Sequence, residues 1–358
     1  MEYIIYGAGG NGKAIFDAMS KQGDKVLFFV DLYSNEKDYK GVPIFKPDEV
    51  SPSEHPVLIS LSCLSHVVKA QMIEKGFQNC YDLNEVMSEF SHIFNHFYDE
   101  DHKQTLQQSE IQYAEQLNAL HTKLANAQSK DCLARIRAFR QKPSHTTYLK
   151  NDWETQYFPK ELMSKGLIKS PLKMIDCGAF NGDTLQLAVN ITKKYHIKFD
   201  SIVCFEPDPK NYGKLQSRLR DTNTQYPRVF TQPAGVWSKN TRLGFSSCGD
   251  QSKIIEDTTS ECNSLQVAKI DDICFGLSPN YIKMDVEGAE IEALKGASDI
   301  IRQFKPNLAI SVYHEPEHLW QIAELIEQLH SDYQFYLHSH GDFCNEIVLY
   351  AIAEKTVI

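Results

Sequence analysis

The sequence predicts an α/β protein built of two Rossmann-like domains joined by a helical linker. Three observations carry this. Short apolar runs alternate with helical stretches over residues 1–90 and again over 145–358, the rhythm of parallel sheets with right-handed crossovers. Each stretch opens on a glycine-rich turn between a strand and a helix. Between them, residues 91–144 contain no glycine and no proline before Pro143, and are rich in Gln, His, Glu, Lys and Ala. At about 150 residues per domain, a chain of 358 residues suits two.

In the first stretch Tyr3–Tyr6 reads as a strand, followed by a glycine loop and a helix ending near Gly23. Val26–Asp31 and Val57–Leu61 are further strands, and Gln71–Gly76 closes a helix before the short run Cys80–Leu83. The loop Gly7-Ala8-Gly9-Gly10-Asn11-Gly12 fits the pattern GxGxxG. Glycines there permit a tight turn and let a pyrophosphate approach the amino end of the helix, where amide dipoles favour anions. Asp31 ends the next strand 19 residues later, a place from which a carboxylate takes ribose hydroxyls. Gly7, Gly9, Gly12 and Asp31 are therefore candidate nucleotide-binding residues, although such glycines also serve chain geometry alone. His55 and His66 stand isolated and read as surface or packing residues.

The residues Ile4-Ile5-Tyr6-Gly7 through Lys13, Phe29-Val30-Asp31 and Gly41-Val42-Pro43-Ile44 carry a loose resemblance. They resemble the small Rossmann-like domains attached to enzymes of nucleotide-sugar and surface-polysaccharide metabolism, some sugar acyltransferases among them. The likeness implies a nucleotide or nucleotide-sugar ligand, or a purely architectural role.

In the linker, Leu106, Tyr113, Leu117, Leu120, Leu124 and Ala127 recur at three- and four-residue steps, one face of a helix. The run is too short for a coiled coil. It reads as a connecting helix docked on a domain, with homodimer formation through a helix pair as the other reading.

The third stretch holds seven strands, at Lys173–Asp176, Ser201–Glu206, Arg228–Gln232, Tyr281–Asp285, Leu308–Tyr313, Gln334–Leu337 and Ile347–Ile352. Helices intervene at Thr184–Lys194, Asn211–Arg220, Ala289–Phe304 and Glu317–His330. The short turn around Gly341 and Asp342 suits an antiparallel last pair.

The second loop, Asp176-Cys177-Gly178-Ala179-Phe180-Asn181-Gly182-Asp183-Thr184, lacks the middle glycine of the dinucleotide pattern. A ligand without a pyrophosphate needs less close backbone approach, so the loop points away from NAD and suits S-adenosylmethionine (SAM). Its amino-acid end fits along Gly178, Ala179, Asn181, Gly182 and Thr184, with Asp176 near the ammonium. Glu206, thirty residues beyond Asp176 at a strand end, is placed to accept the ribose hydroxyls.

Around these residues the stretch resembles the FkbM-type SAM-dependent methyltransferases. The likeness rests on Ile282-Lys283-Met284-Asp285-Val286-Glu287-Gly288-Ala289-Glu290 with Leu294-Lys295-Gly296-Ala297. Ile175 to Ala179, Gly182-Asp183-Thr184, Phe205-Glu206-Pro207-Asp208, Ser311-Val312-Tyr313-His314 and Val348-Leu349-Tyr350-Ala351 add to it. It implies a class I methyltransferase fold, a seven-stranded sheet with an antiparallel last strand. It also implies methyl transfer to oxygen of a sugar or other small metabolite. One departure stands out: Gln232-Pro233-Ala234-Gly235 offers no acid for the adenine amino group, which leaves backbone groups or Asp250-Gln251-Ser252 to hold it.

SAM arrives activated, so the enzyme must align a hydroxyl and remove its proton, by a base or through a metal. Asp285 at the end of the fourth strand can be that base, orient one, or ligate a divalent cation. His314, just after the fifth, is a candidate base because neutral imidazole takes a proton near neutral pH. Plainer roles fit the same residues: Asp285 as a helix cap, Glu287-Gly288 as turn chemistry, His314 as a packed loop residue. Lys283 reads as the structural partner of a nearby carboxylate, and His338 and His340 as surface histidines. No ligand spacing compels a metal.

Composition narrows the classes. The net charge is −10, with no extended basic run, which disfavours nucleic acid or anionic membrane as partner. No apolar run approaches the roughly 20 residues of a membrane span, and Met1 to Tyr6 leads straight into Gly7 without a signal-like segment. The nine cysteines lack a CxxC pair and read as reduced thiols of a cytoplasmic protein. The expectation is thus a cytoplasmic SAM-dependent O-methyltransferase acting on a small-molecule or glycan-precursor hydroxyl. Its rivals are an NAD-linked oxidoreductase using the first loop and a non-enzymatic nucleotide-sugar scaffold.

Overall fold

The computed structural model describes residues 1–61, 65–148, 156–221, 224–248, 251–255, 264–340 and 346–353. The chain divides into two compact units, the first made of 1–114, 131–153 and 339–346, the second of 115–130, 154–338 and 347–358.

The first unit runs β1 (Glu2–Tyr6), α1 (Gly10–Lys21), β2 (Lys25–Val30), β3 (Asp38–Tyr39), β4 (Val42–Phe45), β5 (Val57–Ile59), α2 (Ser65–Glu74), β6 (Cys80–Tyr81), α3 (Leu83–Glu89), α4 (Ser91–Phe97) and α5 (Glu100–Gln112). Its sheet has the order β3-β4-β2-β1-β5-β6. The pairs are parallel except β3 with β4. Side chains of a strand alternate between faces, and β1 shows why its run is apolar throughout. Tyr3 and Ile5 enter a core with Ile15, Phe29, Phe94 and Phe139, while Ile4 and Tyr6 enter another with Val30, Ile59, Met72 and Phe77. Each such fully buried side chain contributes about 1.5–3 kcal/mol.

The linker departs from expectation. After α5 come α6 (Ala114–Lys123) and α7 (Ala127–Gln141), so the single predicted face is broken at Tyr113 and again beyond Lys123. Residues 115–130 fall in the second unit and the rest in the first. Leu117, Leu120 and Leu124 are buried within the chain, whereas Ala127 is exposed. These leucines are spent on the molecule's own core.

The second unit continues with α8 (Lys160–Ser164), β7 (Leu172–Cys177), α9 (Asp183–Lys194), β8 (Phe199–Phe205), α10 (Pro209–Leu219), β9 (Arg228–Gln232), β10 (Gly235–Trp237), β11 (Thr241–Cys248), β12 (Gln251–Ile255), β13 (Ser264–Lys269), α11 (Ile270–Cys274), β14 (Tyr281–Met284), α12 (Glu290–Gly296), α13 (Ser298–Phe304), β15 (Asn307–Ser311), α14 (His318–Leu329), β16 (Tyr333–His340) and β17 (Glu346–Ala353). The main sheet has seven strands in the order β16-β17-β15-β14-β7-β8-β9. β17 is antiparallel to β15, and the pairs from β15 to β9 are parallel. The turn at Gly341 and Asp342 lies outside the described residues. Beside this sheet β10, β13, β11 and β12 form a four-stranded sheet that the sequence reading did not anticipate.

The predicted helix 289–304 is two helices. Gly296 ends the first, packed so closely that a Cβ there would stand 2.1 Å from the Trp237 carbonyl oxygen. The close approach is followed by a turn at Ala297 before α13. His338 and His340 are not surface residues, His340 being 2% exposed and His338 setting its ring edge-on to Tyr350. Among the described residues the five free cysteines are all buried, and no helix is long and apolar enough to cross a membrane.

The strand order reverses between β7 and β14: from β7 the chain moves outward to β8 and β9, then returns to β14 on the other side. Crevices outside the carboxyl ends of such strands are where α/β sheets bind ligands. The second glycine loop follows β7 and Asp285 follows β14.

Candidate active site

The loop after β7 is fixed by contacts that only its own residues allow. Gly178 has φ +77, and a Cβ on it would lie 1.9 Å from the Asp285 carbonyl oxygen. Glycine is required there on both counts. The amides of Gly178 and Ala179 donate to the Phe205 carbonyl. Gly182, at φ +83, caps α9 in the left-handed region. Asn181 is gripped by Arg218, whose guanidinium donates to its carbonyl at 2.8 Å and its side-chain oxygen at 3.1 Å. Ala179 and Thr184 are buried.

Glu206, 5% exposed, accepts the amides of Phe180 at 2.7 Å and Asp208 at 2.9 Å. It ties the loop to the end of β8. Burial pushes its carboxyl up to about 7, against the lowering effect of those two amides.

Asp176, expected near the SAM ammonium, takes an interior partner. It is wholly buried beneath the loop and paired with Lys283 Nζ at 3.1 Å. Lys283 also donates to the carbonyls of Gly178 at 2.6 Å and Cys177 at 3.3 Å. Burial raises Asp176 to about 6 even though Lys283 pulls the other way. Burial likewise opposes the charge of Lys283, but the attraction of Asp176 and Asp285 outweighs it and keeps the ammonium charged. The pair is a strut that holds β7, β14 and the loop together, the plainer role read for Lys283.

At the ends of β14 and β15 a second group of side chains converges. The Tyr157 hydroxyl donates to Asp285 Oδ2 at 2.8 Å and the Tyr313 hydroxyl to Oδ1 at 3.3 Å. His314 Nδ1 lies 2.8 Å from Glu290 Oε1. Its Nε2 faces Asp285 Oδ1 at 3.4 Å and Glu287 Oε2 at 3.6 Å. Glu290 is fully buried, accepts the Val286 amide at 2.9 Å and meets His318 Nδ1 at 3.2 Å. Glu287 sits at φ 54 and Gly288 at φ 97, a tight turn that puts a non-glycine residue in the left-handed region. Asp285 does not cap α12, whose N-cap is Ala289 with no side-chain bond.

The electrostatics of this cluster bear on His314, the candidate base. Burial works against its charge, yet Glu290, Asp285 and Glu287 together push it up to about 9. Glu290 in turn is held down at about 2: burial opposes its charge, but His314, His318 and the Val286 amide prevail.

Residues 176–344 match the family model of the methyltransferase FkbM domain. The chain carries an FkbM-type methyltransferase domain. A solved structure of the methyltransferase FkbM from Methylobacillus flagellatus KT is 25% identical, covering 98% of this chain and 89% of that one, with a TM-score of 0.61. Precorrin-6y C5,15-methyltransferase from Geobacter metallireducens GS-15 is 12% identical over 55% of this chain and 89% of its own, at 0.33. Fibrillarin from Aeropyrum pernix, in complex with S-adenosyl-L-methionine, is 14% identical over 53% and 72%, at 0.32. No curated protein matches.

The matched segment contains the loop, Glu206, Asp285 and His314, all in the second unit. Gly7, Gly9, Gly12 and Asp31 belong to the first. There Gly12 packs α1 on β1 so closely that a Cβ would meet the Gly7 carbonyl oxygen at 1.9 Å, while Gly9 and Gly10 face open space. Asp31 accepts the amides of Ala8 at 2.8 Å, Tyr33 at 2.8 Å and Ser34 at 2.7 Å. Burial would raise it, but these amides lower its pKa. Its carboxylate is thereby engaged in holding the loop's own backbone. Asp250, offered for adenine, lies outside the described residues.

The sequence reading passed over Tyr157, Glu290 and His318 as site residues and gave Glu287 only a turn role. Glu290 carried a signal, standing five residues after Asp285 at the start of a helix. Tyr157 carried none, since only the fold brings it to a strand end 128 residues away.

Proposed function

We propose that this FkbM-type domain transfers the methyl group of SAM to a hydroxyl oxygen of a sugar-derived or similar small metabolite. The observation that carries the reading is the Asp285, Glu287, Glu290 and His314 cluster at the ends of β14 and β15, in contact with the glycine loop through the Asp285 carbonyl at Gly178. The family match favours methyl transfer over hydride transfer on the first loop.

In this reading the cofactor lies along Gly178 to Thr184, and Glu206 accepts its ribose hydroxyls with the lone pairs its two amide contacts leave over. Asp285, steadied by two tyrosine hydroxyls, orients the acceptor. The acceptor oxygen attacks the methyl carbon, the carbon–sulfur bond breaks, and its electron pair stays on sulfur to leave neutral S-adenosylhomocysteine (SAH). The hydroxyl proton passes to a carboxylate of the cluster. Alignment supplies much of the rate, because the methyl is already activated. For the first unit we propose a nucleotide-sugar-type or architectural role. The self-satisfied Asp31 loop supports the architectural one.

The test is a screen of sugar and metabolite hydroxyl acceptors with methyl-labelled SAM. Label in an ether product that the Asp285→Asn variant forms at least about a hundred-fold more slowly supports the reading. Label appearing only on nitrogen or carbon acceptors contradicts it.

A further inference from the structure

We propose that Asp285, Glu290 and His314 form a site for one divalent cation of the Mn2+ or Zn2+ type, which would bind the acceptor hydroxyl. The inference rests on the methyl-transfer reading for its purpose but not for its geometry.

Each of the three residues offers one ligand atom, and these atoms lie within 4.8 Å of one another. In a one-ion site each donor would stand at the 2.0–2.2 Å that nitrogen and oxygen ligands take. The residues come from three places, the end of β14, the start of α12 and the end of β15, so the folded sheet itself assembles the set. His314 Nε2 is the second observation. Its side chain is 8% exposed, and among the described residues this nitrogen has no hydrogen-bond partner. It points instead at two carboxylate oxygens, Asp285 at 3.4 Å and Glu287 at 3.6 Å. Those separations are long for hydrogen bonds and ordinary between neighbouring ligands of a single ion.

The surroundings match what metal sites require around their ligands. His318 reaches Glu290 Oε2 at 3.2 Å, and the tyrosine hydroxyls of residues 157 and 313 hold Asp285. One imidazole with two carboxylates is a mixed donor set, which suits Mn2+ or Zn2+ better than an all-oxygen site would. Glu290 is fully buried, while the Asp285 side chain is 23% exposed, so the open coordination positions lie on the Asp285 side. An ion held there would lower the pKa of a bound acceptor hydroxyl, and Glu287, whose side chain is 55% exposed, would take the proton as the acceptor oxygen receives the methyl group.

The experiment is titration of the chelator-treated full-length protein with Mn2+ by electron paramagnetic resonance, and with Zn2+ and Mg2+ by calorimetry. Saturable binding of one ion per chain, weakened at least about ten-fold in both Asp285→Asn and His314→Gln, is the expected result. Glu290→Gln is read only if its circular dichroism matches the parent. Absence of one-to-one binding by all three ions overturns the proposal, as does binding that survives both variants. SAH titration of the same preparation separates the two readings. Ion binding without SAH binding would retire methyl transfer and keep the ion site, and SAH binding without ion binding would retire only the ion.

Discussion

At the scale of single residues, the partner each buried carboxylate takes separates Asp176, paired with a lysine, from Glu206, which accepts two loop amides. Asp176 and Glu206 both end strands, and from sequence both read as cofactor contacts. The structure sends one to the interior with Lys283 and leaves the other beside the loop with acceptor capacity. The sequence places a carboxylate at a strand end but not its depth, because depth depends on what the following loop folds over. Two predictions belong here. Glu206 has a folded pKa of about 7 against an ordinary 4.5, so its contribution to the fold is fully present below the lower value and is lost as pH rises through the higher one. Cofactor ribose hydroxyls want the ionised form, so SAH affinity should rise up to about ten-fold between about pH 6 and about pH 8. Calorimetry at the two values should show it, and in Glu206→Gln the slope should vanish. Removing one member of a buried pair leaves the other charge stranded, so Lys283→Met should destabilise the second unit by about 3–5 kcal/mol. Urea unfolding followed by tryptophan fluorescence would measure the loss. The double variant Asp176→Asn, Lys283→Met should recover part of it.

At the scale of elements, strand and helix placement was the most legible level of the chain. All seven strands of the main sheet fall where alternation of apolar runs puts them, since a parallel strand buried on both faces has an unbroken apolar signature. What was missed has local causes. The helix at 289–304 breaks at Ala297, just after a glycine packed against the Trp237 carbonyl. β10 to β13 are an insertion of short strands whose pattern is diluted by polar residues. The linker looked like one helix because a three- and four-residue step survives a kink at Tyr113 that no proline or glycine announces. The loop after β7 gives the sharpest prediction at this level. Gly178→Ala puts a methyl group onto the Asp285 carbonyl and strains a backbone at φ +77. The variant should lose about 1–3 kcal/mol of stability and bind SAH at least ten times more weakly, a fold-change of about 1.4 kcal/mol. Near-parental affinity in this variant would show that the cofactor does not lie on the loop.

At the scale of the whole molecule, the chain uses one device twice, a mostly parallel sheet with a glycine loop after its first strand. The two copies differ in what surrounds the loop. In the first unit the acid at the next strand end accepts three backbone amides, Ala8 among them. In the second, the equivalent acid keeps acceptor capacity and a cluster of carboxylates and histidines stands across the crevice. The fold and the family were readable from motifs in order along the chain, whereas the members of the cluster contributed by Tyr157 and His318 became visible only once distant segments met. The measurement that tests the central claim most directly is calorimetric titration of the full-length protein with SAH, beside NADH and nucleotide sugars. The account predicts one SAH bound per chain, with binding weakened at least ten-fold in Gly178→Ala and weakened also in Glu206→Ala. Heat from NADH or a nucleotide sugar with none from SAH would contradict it and move the chemistry to the first unit.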